Sequence, residues 1–181
     1  MKKWIGYYQN IVSDELCDKL IDYSENQKPL QPSTYSTSSG KSDRSEERVK
    51  MDDGWFRKGE KFYDDIRKSF QEVIRRYQEK HPDFVCQRHT DFRLNKYSYG
   101  GFMSRHVDNI HHSHGQKYGY PQVSSLLFLN DDYKGGQLKI SNTTYNTKKG
   151  SAIIFPSNFM FPHEVNLITQ GTRYSIVTWL M

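Results

Sequence analysis

The sequence predicts a mainly β domain in which two helices pack on one side of a largely antiparallel sandwich or barrel. Three observations carry that expectation. Two segments before residue 88 repeat apolar side chains at three- and four-residue spacing. After residue 88 the texture changes to short β-prone runs separated by Gly-, Asn- and Asp-rich breaks. The second half shows no regular strand–helix alternation, and neither "YSYGGF" nor "YKGGQL" has the spacing of a phosphate-binding glycine loop. That argues against a Rossmann or P-loop domain.

Taken in order, "WIGYY" reads as a short aromatic strand. "SDELCDKLIDYSE" reads as a helix, with Ser13 as N-cap and Asp14 and Glu15 in the first turn, where the helix dipole favours acids. Leu16, Leu20 and Tyr23 line one face. From Pro29 to about Gly59 the chain is polar, Ser-rich and weakly periodic. It reads either as a surface loop or as a flap over a pocket, with a short strand near its end. The next segment, "EKFYDDIRKSFQEVIRRYQEKHP", repeats Phe62, Ile66, Phe70, Val73, Ile74 and Tyr77 at helical spacing. Glu72 and Arg76 can pair on its exposed side, and Pro82 ends it. The strand candidates that follow are "HTDFRLNKY", "FMSRHVD", "VSSLLFLN", "GQLKI", "SAIIFP", "HEVNLI" and "TRYSIVTWL".

The 181 residues suit one domain, with 1–88 supplying supporting helices and flap and 89–181 the β core. Twenty-six basic against 21 acidic residues leave +5, and the basic residues between 41 and 80 alternate with acids. That interleaving weighs against a nucleic-acid track. No apolar run is long enough to span a bilayer, and the opening lacks the apolar core of a secretory signal. Cys17 and Cys86 form neither a CxxC pair nor a disulfide framework, so the expected location is the cytoplasm.

The chemistry-bearing residues are histidines and their neighbours. His106 and Asp108 stand two apart on an expected strand, so their side chains leave the same face. His163, in "FPHEV", begins another strand candidate. Two imidazoles and one carboxylate on one face of an octahedral ion suit non-haem Fe(II), with zinc as competitor. A pair of surface polar residues is the plainer alternative for H-x-D alone. His111, His112 and His114 read as solvent-facing or adventitious metal binders in a loop, and His81 and His89 as structural or exposed. If 163–168 and 172–180 form a hairpin around "TQG", Arg173 stands on the strand next to that of His163. An inward guanidinium there would take a carboxylate, the competing reading being a pair with Glu164. Tyr97, nine residues before His106, either donates a hydrogen bond into that pocket or is one aromatic among many.

These residues, in this order, resemble the Fe(II)- and 2-oxoglutarate-dependent dioxygenases, especially the prolyl 4-hydroxylase-like branch. The likeness covers about 90–181 through "KYSYGGFMSRHVDN", "LLFLNDDYKGGQLKI" and "GSAIIFPSNFMFPHEVNLITQGTRYSIVTWL". "HVDN", "PHEV" and "TRYSIVTW" are most similar to the oxygen-sensing prolyl hydroxylases and their bacterial relatives. The resemblance implies a double-stranded β-helix, a cupin-like jelly roll. It implies iron ligands at His106, Asp108 and His163, the distal carboxylate of 2-oxoglutarate at Arg173, and Tyr97 lining the cosubstrate pocket. Thr178 and Trp179 would lie in the strand flooring the site, and 30–58 where relatives carry a mobile substrate-covering segment. It further implies hydroxylation of a prolyl residue in a peptide or protein, with release of succinate and CO2, and brings in ascorbate as a further cofactor.

The departures are informative. Phe128 stands where oxygen-sensing relatives have a second tyrosine, which would leave Arg173 to lean on Tyr97 or Ser125. Gln137 replaces the acid that follows Gly-Gly in collagen-type relatives, which weighs against collagen-like substrates. Asp108 stands where halogenating relatives have a small residue, which favours hydroxylation. Free proline, another small molecule or a nucleobase remains open as substrate, as does a non-catalytic metal-binding sensor or an interaction module.

Overall fold

The computed structural model describes residues 1–36, 42–43, 47–109 and 119–181. Strand β1 (Gly6–Tyr8) precedes helix α1 (Asp14–Asn26). The short strands β2 (Gln31–Pro32), β3 (Tyr35–Ser36), β4 (Ser42–Asp43) and β5 (Val49–Lys50) follow, then β6 (Asp52–Phe56) and helix α2 (Tyr63–Lys80). Next come β7 (Phe92–Tyr97), β8 (Phe102–His106), β9 (Val123–Phe128), β10 (Lys134–Gly135), β11 (Leu138–Ile140) and β12 (Thr143–Tyr145). The chain closes with β13 (Ala152–Pro156), β14 (His163–Val165), β15 (Ile168–Gln170) and β16 (Arg173–Leu180).

A seven-stranded sheet runs β1-β13-β9-β16-β7-β6-β2, and a five-stranded sheet runs β12-β11-β14-β8-β5. All their pairings are antiparallel. Between the two sheets lies one apolar layer that includes Met103, Leu126, Phe128, Ile140, Phe155, Val177 and Trp179. The opposite face of the larger sheet meets the helices through Phe92, Leu94, Leu127, Ile154 and Ile176. The central strands β9 and β16 are therefore buried on both faces along their whole length. That explains why "VSSLLFLN" and "TRYSIVTWL" read as nearly continuous runs without polar alternation. Their parity still matters: Ser124, Leu126 and Phe128 of β9 face the inter-sheet layer, as do Arg173, Ser175, Val177 and Trp179 of β16.

Both helices form where the periodicity places them. The Ser13 side chain accepts from the backbone N–H of Leu16 at 3.2 Å, capping α1. The buried stripe of α1 is centred on Cys17, Leu20 and Ser24, with Leu16 and Tyr23 packed at its margins. In α2, Ile66, Phe70, Val73 and Tyr77 are buried, and Phe70 stacks on Phe92 of the sheet at 5.3 Å. Each such side chain contributes about 1.5–3 kcal/mol by leaving water. Glu72 and Arg76 pair at 2.7 Å.

Three expectations change. Residues 163–168 and 172–180 do not form a hairpin. Strand β14 pairs with β8 and β11 in the smaller sheet, whereas β16 pairs with β7 and β9 in the larger. Between them β15 pairs with β10, so the chain crosses from one sheet to the other and His163 and Arg173 approach from opposite walls. The stretch 30–58 is likewise more than a loop: Val49–Lys50 edges the smaller sheet and Asp52–Phe56 is an inner strand of the larger. Its residues 37–41 and 44–46 lie outside the described residues, as do His111, His112 and His114. Finally, β8 ends at His106, so Asp108 lies beyond the strand. Among the described residues no helix is long and apolar enough to cross a membrane. Cys17 and Cys86 are free thiols.

Candidate active site

His106 and His163 are direct cross-strand partners on β8 and β14, and their ring centroids lie 4.2 Å apart. Asp108 reaches both. Its Oδ1 is 3.4 Å from His106 Nε2 and its Oδ2 is 3.4 Å from His163 Nε2. One donor atom from each residue falls within 4.8 Å of the others. Cis ligands of an octahedral ion with bonds of roughly 2.1 Å stand about 3 Å apart, so small side-chain movements would close this set on a metal. The imidazoles are also oriented for it. His106 Nδ1 lies 2.8 Å from the Ser104 carbonyl, and His163 Nδ1 lies 3.2 Å from the Phe161 carbonyl. Donation from each Nδ1 leaves the Nε2 lone pair directed at Asp108.

Asp108 owes its position beyond the strand to a hydroxyl pair. Ser124 Oγ donates to Asp108 Oδ2 at 2.5 Å and lies 2.8 Å from Ser157 Oγ. The Ser157 carbonyl accepts from the backbone N–H groups of Asp108 and Asn109. Sequence reading missed both serines. Their signal was parity, because Ser124 shares the inward face of β9 with Leu126 and Phe128. Ser124→Ala is expected to leave the fold intact and weaken Fe(II) affinity by about 10- to 100-fold, as loss of a ligand-supporting partner typically does. A competition titration against a metal chelator measures it.

The charge states suit metal capture at neutral pH. Burial disfavours the Asp108 carboxylate, yet His163, His106 and the Ser124 hydrogen bond outweigh it and hold Asp108 ionised well below the usual carboxylate range. Burial pushes the His163 imidazole down to about 4, against the upward pull of Asp108. The folded imidazole thus sheds its proton more readily than the unfolded one at its ordinary 6.5. As pH falls from about 6.5 towards 4 the unfolded chain takes up the extra proton, so the metal-free protein loses stability across that window. Metal-free melting curves at stepped pH should show that decline, and Fe(II) should make it steeper, because bound metal keeps the folded imidazole unprotonated while the unfolded chain still protonates from about 6.5.

Arg173 opens the second half of the site. It is 0 % exposed and faces the inter-sheet layer. Its Nη1 donates to Ser175 Oγ at 3.1 Å, while Nε and Nη2 have no acceptor among the described residues. The Tyr97 and Phe128 rings flank the guanidinium, with centroids 5.1 and 5.4 Å from its carbon. Glu164 pairs instead with Lys139 at 3.1 Å, which removes the surface ion pair as an account of Arg173. Ser125 is not its partner either, since it lies on the other face of β9 and donates to the Ile153 carbonyl. Gly136, at φ 63°, lets the chain pass closely here, because a Cβ would lie 2.2 Å from Ile168 Cδ1 and 3.2 Å from Arg173 Cδ. A desolvated guanidinium with two free donors calls for an anion, and a carboxylate matches its fork. Tyr97 is the cross-strand partner of Arg173, and burial pushes its phenol pKa up, so it remains a hydrogen-bond donor. Trp179 also faces inward, whereas Thr178 points to the helix side and donates to the Thr90 carbonyl at 3.0 Å.

Residues 92–181 match the family model described as 2OG-Fe(II) oxygenase superfamily. Through them, the chain belongs to that superfamily. The chain is 38 % identical over 93 residues to a PKHD-type hydroxylase of Rippkaea orientalis, covering 48 % of this chain and 40 % of the relative. It is 35 % identical over 92 residues to one of Psychrobacter sp., covering 46 % and 35 %. The matches thus span less than half the length of these relatives. In fold, the chain is similar to a Pseudomonas putida prolyl-4-hydroxylase, with TM-score 0.73, 18 % identity, and 98 % and 91 % of the chains covered. A Trichoplax adhaerens prolyl hydroxylase bound to a hypoxia inducible factor peptide gives TM-score 0.74 and 19 % identity, covering 99 % and 84 %. The two facing sheets with helices on one side are accordingly the double-stranded β-helix expected from the sequence. The donor set and the buried arginine fit Fe(II) and 2-oxoglutarate.

Proposed function

We propose that this chain is an Fe(II)- and 2-oxoglutarate-dependent dioxygenase that hydroxylates a prolyl residue in a peptide or protein, releasing succinate and CO2. The observation that carries the reading is the pairing of the His106–Asp108–His163 cluster with a buried, under-satisfied Arg173 lining the same interior. His106, Asp108 and His163 would hold the iron, Arg173 the distal carboxylate of 2-oxoglutarate, and Tyr97 would line its pocket. The iron and cosubstrate together supply the oxidising power that turns C–H into C–OH. The protein's part is placement. Ser124 holds Asp108, the two backbone carbonyls hold the imidazoles, and the apolar layer around Leu126, Phe155 and Val177 keeps bulk water out. Prolyl chemistry is supported by the two solved structures named above, both prolyl hydroxylases with this fold.

The test begins without oxygen: Fe(II), then 2-oxoglutarate, following the weak visible charge-transfer band of the chelate. Air and a panel of proline peptides are added next, with succinate and peptide mass as readouts. Peptide-stimulated succinate with a hydroxylated product supports the proposal. Stimulation by methylated single-stranded DNA instead would move the substrate class, and no band from iron-loaded protein would sink the 2-oxoglutarate reading.

A further inference from the structure

A second arginine faces the barrel interior. On β7 the side chains of Arg93, Asn95 and Tyr97 share the inward face, because their cross-strand partners on β16 are Val177, Ser175 and Arg173. On the other side β6 places Trp55 opposite Arg93 and Asp53 opposite Asn95. The Arg93 guanidinium carbon lies 4.9 Å from the Trp179 ring centroid, and the Trp179 ring is 6.2 Å from that of Trp55. Trp179 in turn pairs across the sheet with Ser124, the residue that holds Asp108. Arg93 therefore stands between the metal cluster and the Arg173 end, on the wall formed by β6 and β7.

This wall is left unsatisfied. Arg93 Nε and Asn95 Oδ1 are buried without a hydrogen-bond partner among the described residues. Asp53 is 7 % exposed and joins no ion pair among the described residues, although it is one row from Arg93 on the next strand. Stacking on Trp179 uses only the face of the guanidinium, so its in-plane N–H groups remain available. On the oxygenase reading, the two carboxylates of the cosubstrate would be taken up by the metal held at His106, Asp108 and His163 and by Arg173. Arg93 is left with neither.

We propose that Arg93 binds a carboxylate of the substrate, with Asn95 Oδ1 beside it to accept an N–H from the same molecule. The inference rests on the oxygenase reading above and sharpens its substrate class: the oxidised residue carries, or lies next to, a carboxylate. That group is either the α-carboxylate of a terminal or free proline or the side chain of an adjacent acidic residue.

Trp55 and Trp179 border the site, and the third tryptophan, Trp4, lies in the N-terminal turn, so tryptophan emission reports on it directly. Fe(II)- and 2-oxoglutarate-loaded protein is titrated anaerobically with N-acetylproline, N-acetylprolinamide, free proline and an acetylated Pro-Asp amide. At least one carboxylate ligand should quench with an affinity about tenfold or more above that of the neutral amide, the size expected of one charge-assisted hydrogen bond. Which one does so identifies the source. Arg93→Gln should abolish the preference and Arg93→Lys retain only part of it, both with the 2-oxoglutarate band unchanged. Equal binding of acid and amide, or an unaltered preference in Arg93→Gln, overturns the proposal. So does loss of the band in Arg93→Gln, which would assign Arg93 to the cosubstrate. Failure of the wild-type band would instead bring down the oxygenase reading beneath it.

Discussion

Arg173→Met should remove 2-oxoglutarate binding while leaving the metal-free protein as stable as before or more so. Two effects act on the same side chain with opposite sign. Without cosubstrate, the guanidinium is wholly buried, one donor meets Ser175, and Nε and Nη2 meet nothing among the described residues. An unpaired charge in that setting costs several kcal/mol, and an apolar side chain of similar length avoids the cost. With cosubstrate, the same group would gain a bidentate carboxylate in a dry site. Truncating one partner of such a pair costs about 2–5 kcal/mol, or roughly 30- to 5,000-fold in affinity. Melting curves of the metal-free proteins and chelate-band titrations of the iron-loaded ones measure the two halves separately. An unchanged titration would show that the cosubstrate is anchored elsewhere.

Asp108→Ala should cost the metal itself. His106 and His163 would remain as cross-strand neighbours, but the charge that faces both Nε2 atoms would be gone. Iron retained after desalting should fall to background, a larger loss than the 10- to 100-fold assigned to Ser124→Ala. Fe(II) should raise the melting temperature of the wild type by mass action and leave that of Asp108→Ala unmoved. A variant that still binds iron tightly would mean that the cluster is not the metal site.

Local pattern carried much of this protein. Helical spacing in "EKFYDDIRKSFQEVIRRYQEK" marked α2, and Ser13 marked the start of α1, because caps and periodicity are properties of a few neighbouring residues. The two-residue step from His106 to Asp108 marked a candidate metal pair on one strand face, yet the strand stops at His106, and Asp108 joins the cluster through Ser124 and Ser157. Those serines come from β9 and from the turn after β13, and nothing in the spacing of "RHVD" points to them.

Composition and spacing alone determined that the second half is a set of strands with helices beside it, and offered His106, Asp108, His163 and Arg173 as candidates, to which the family resemblance added roles. Tertiary structure decided how they meet. "TQG" looks like a hairpin turn, yet β14 and β16 are drawn into opposite sheets by their pairings with β8 and β7. His163 thereby stands directly across from His106, and Arg173 faces the same interior from the other wall. The same register brings Arg93, Asn95 and Asp53 onto one face from strands that read separately as ordinary polar stretches. The reason is physical: a strand's alternation says which residues share a face, but which strand lies beside it depends on burying the apolar layer between the sheets, a property of the whole chain.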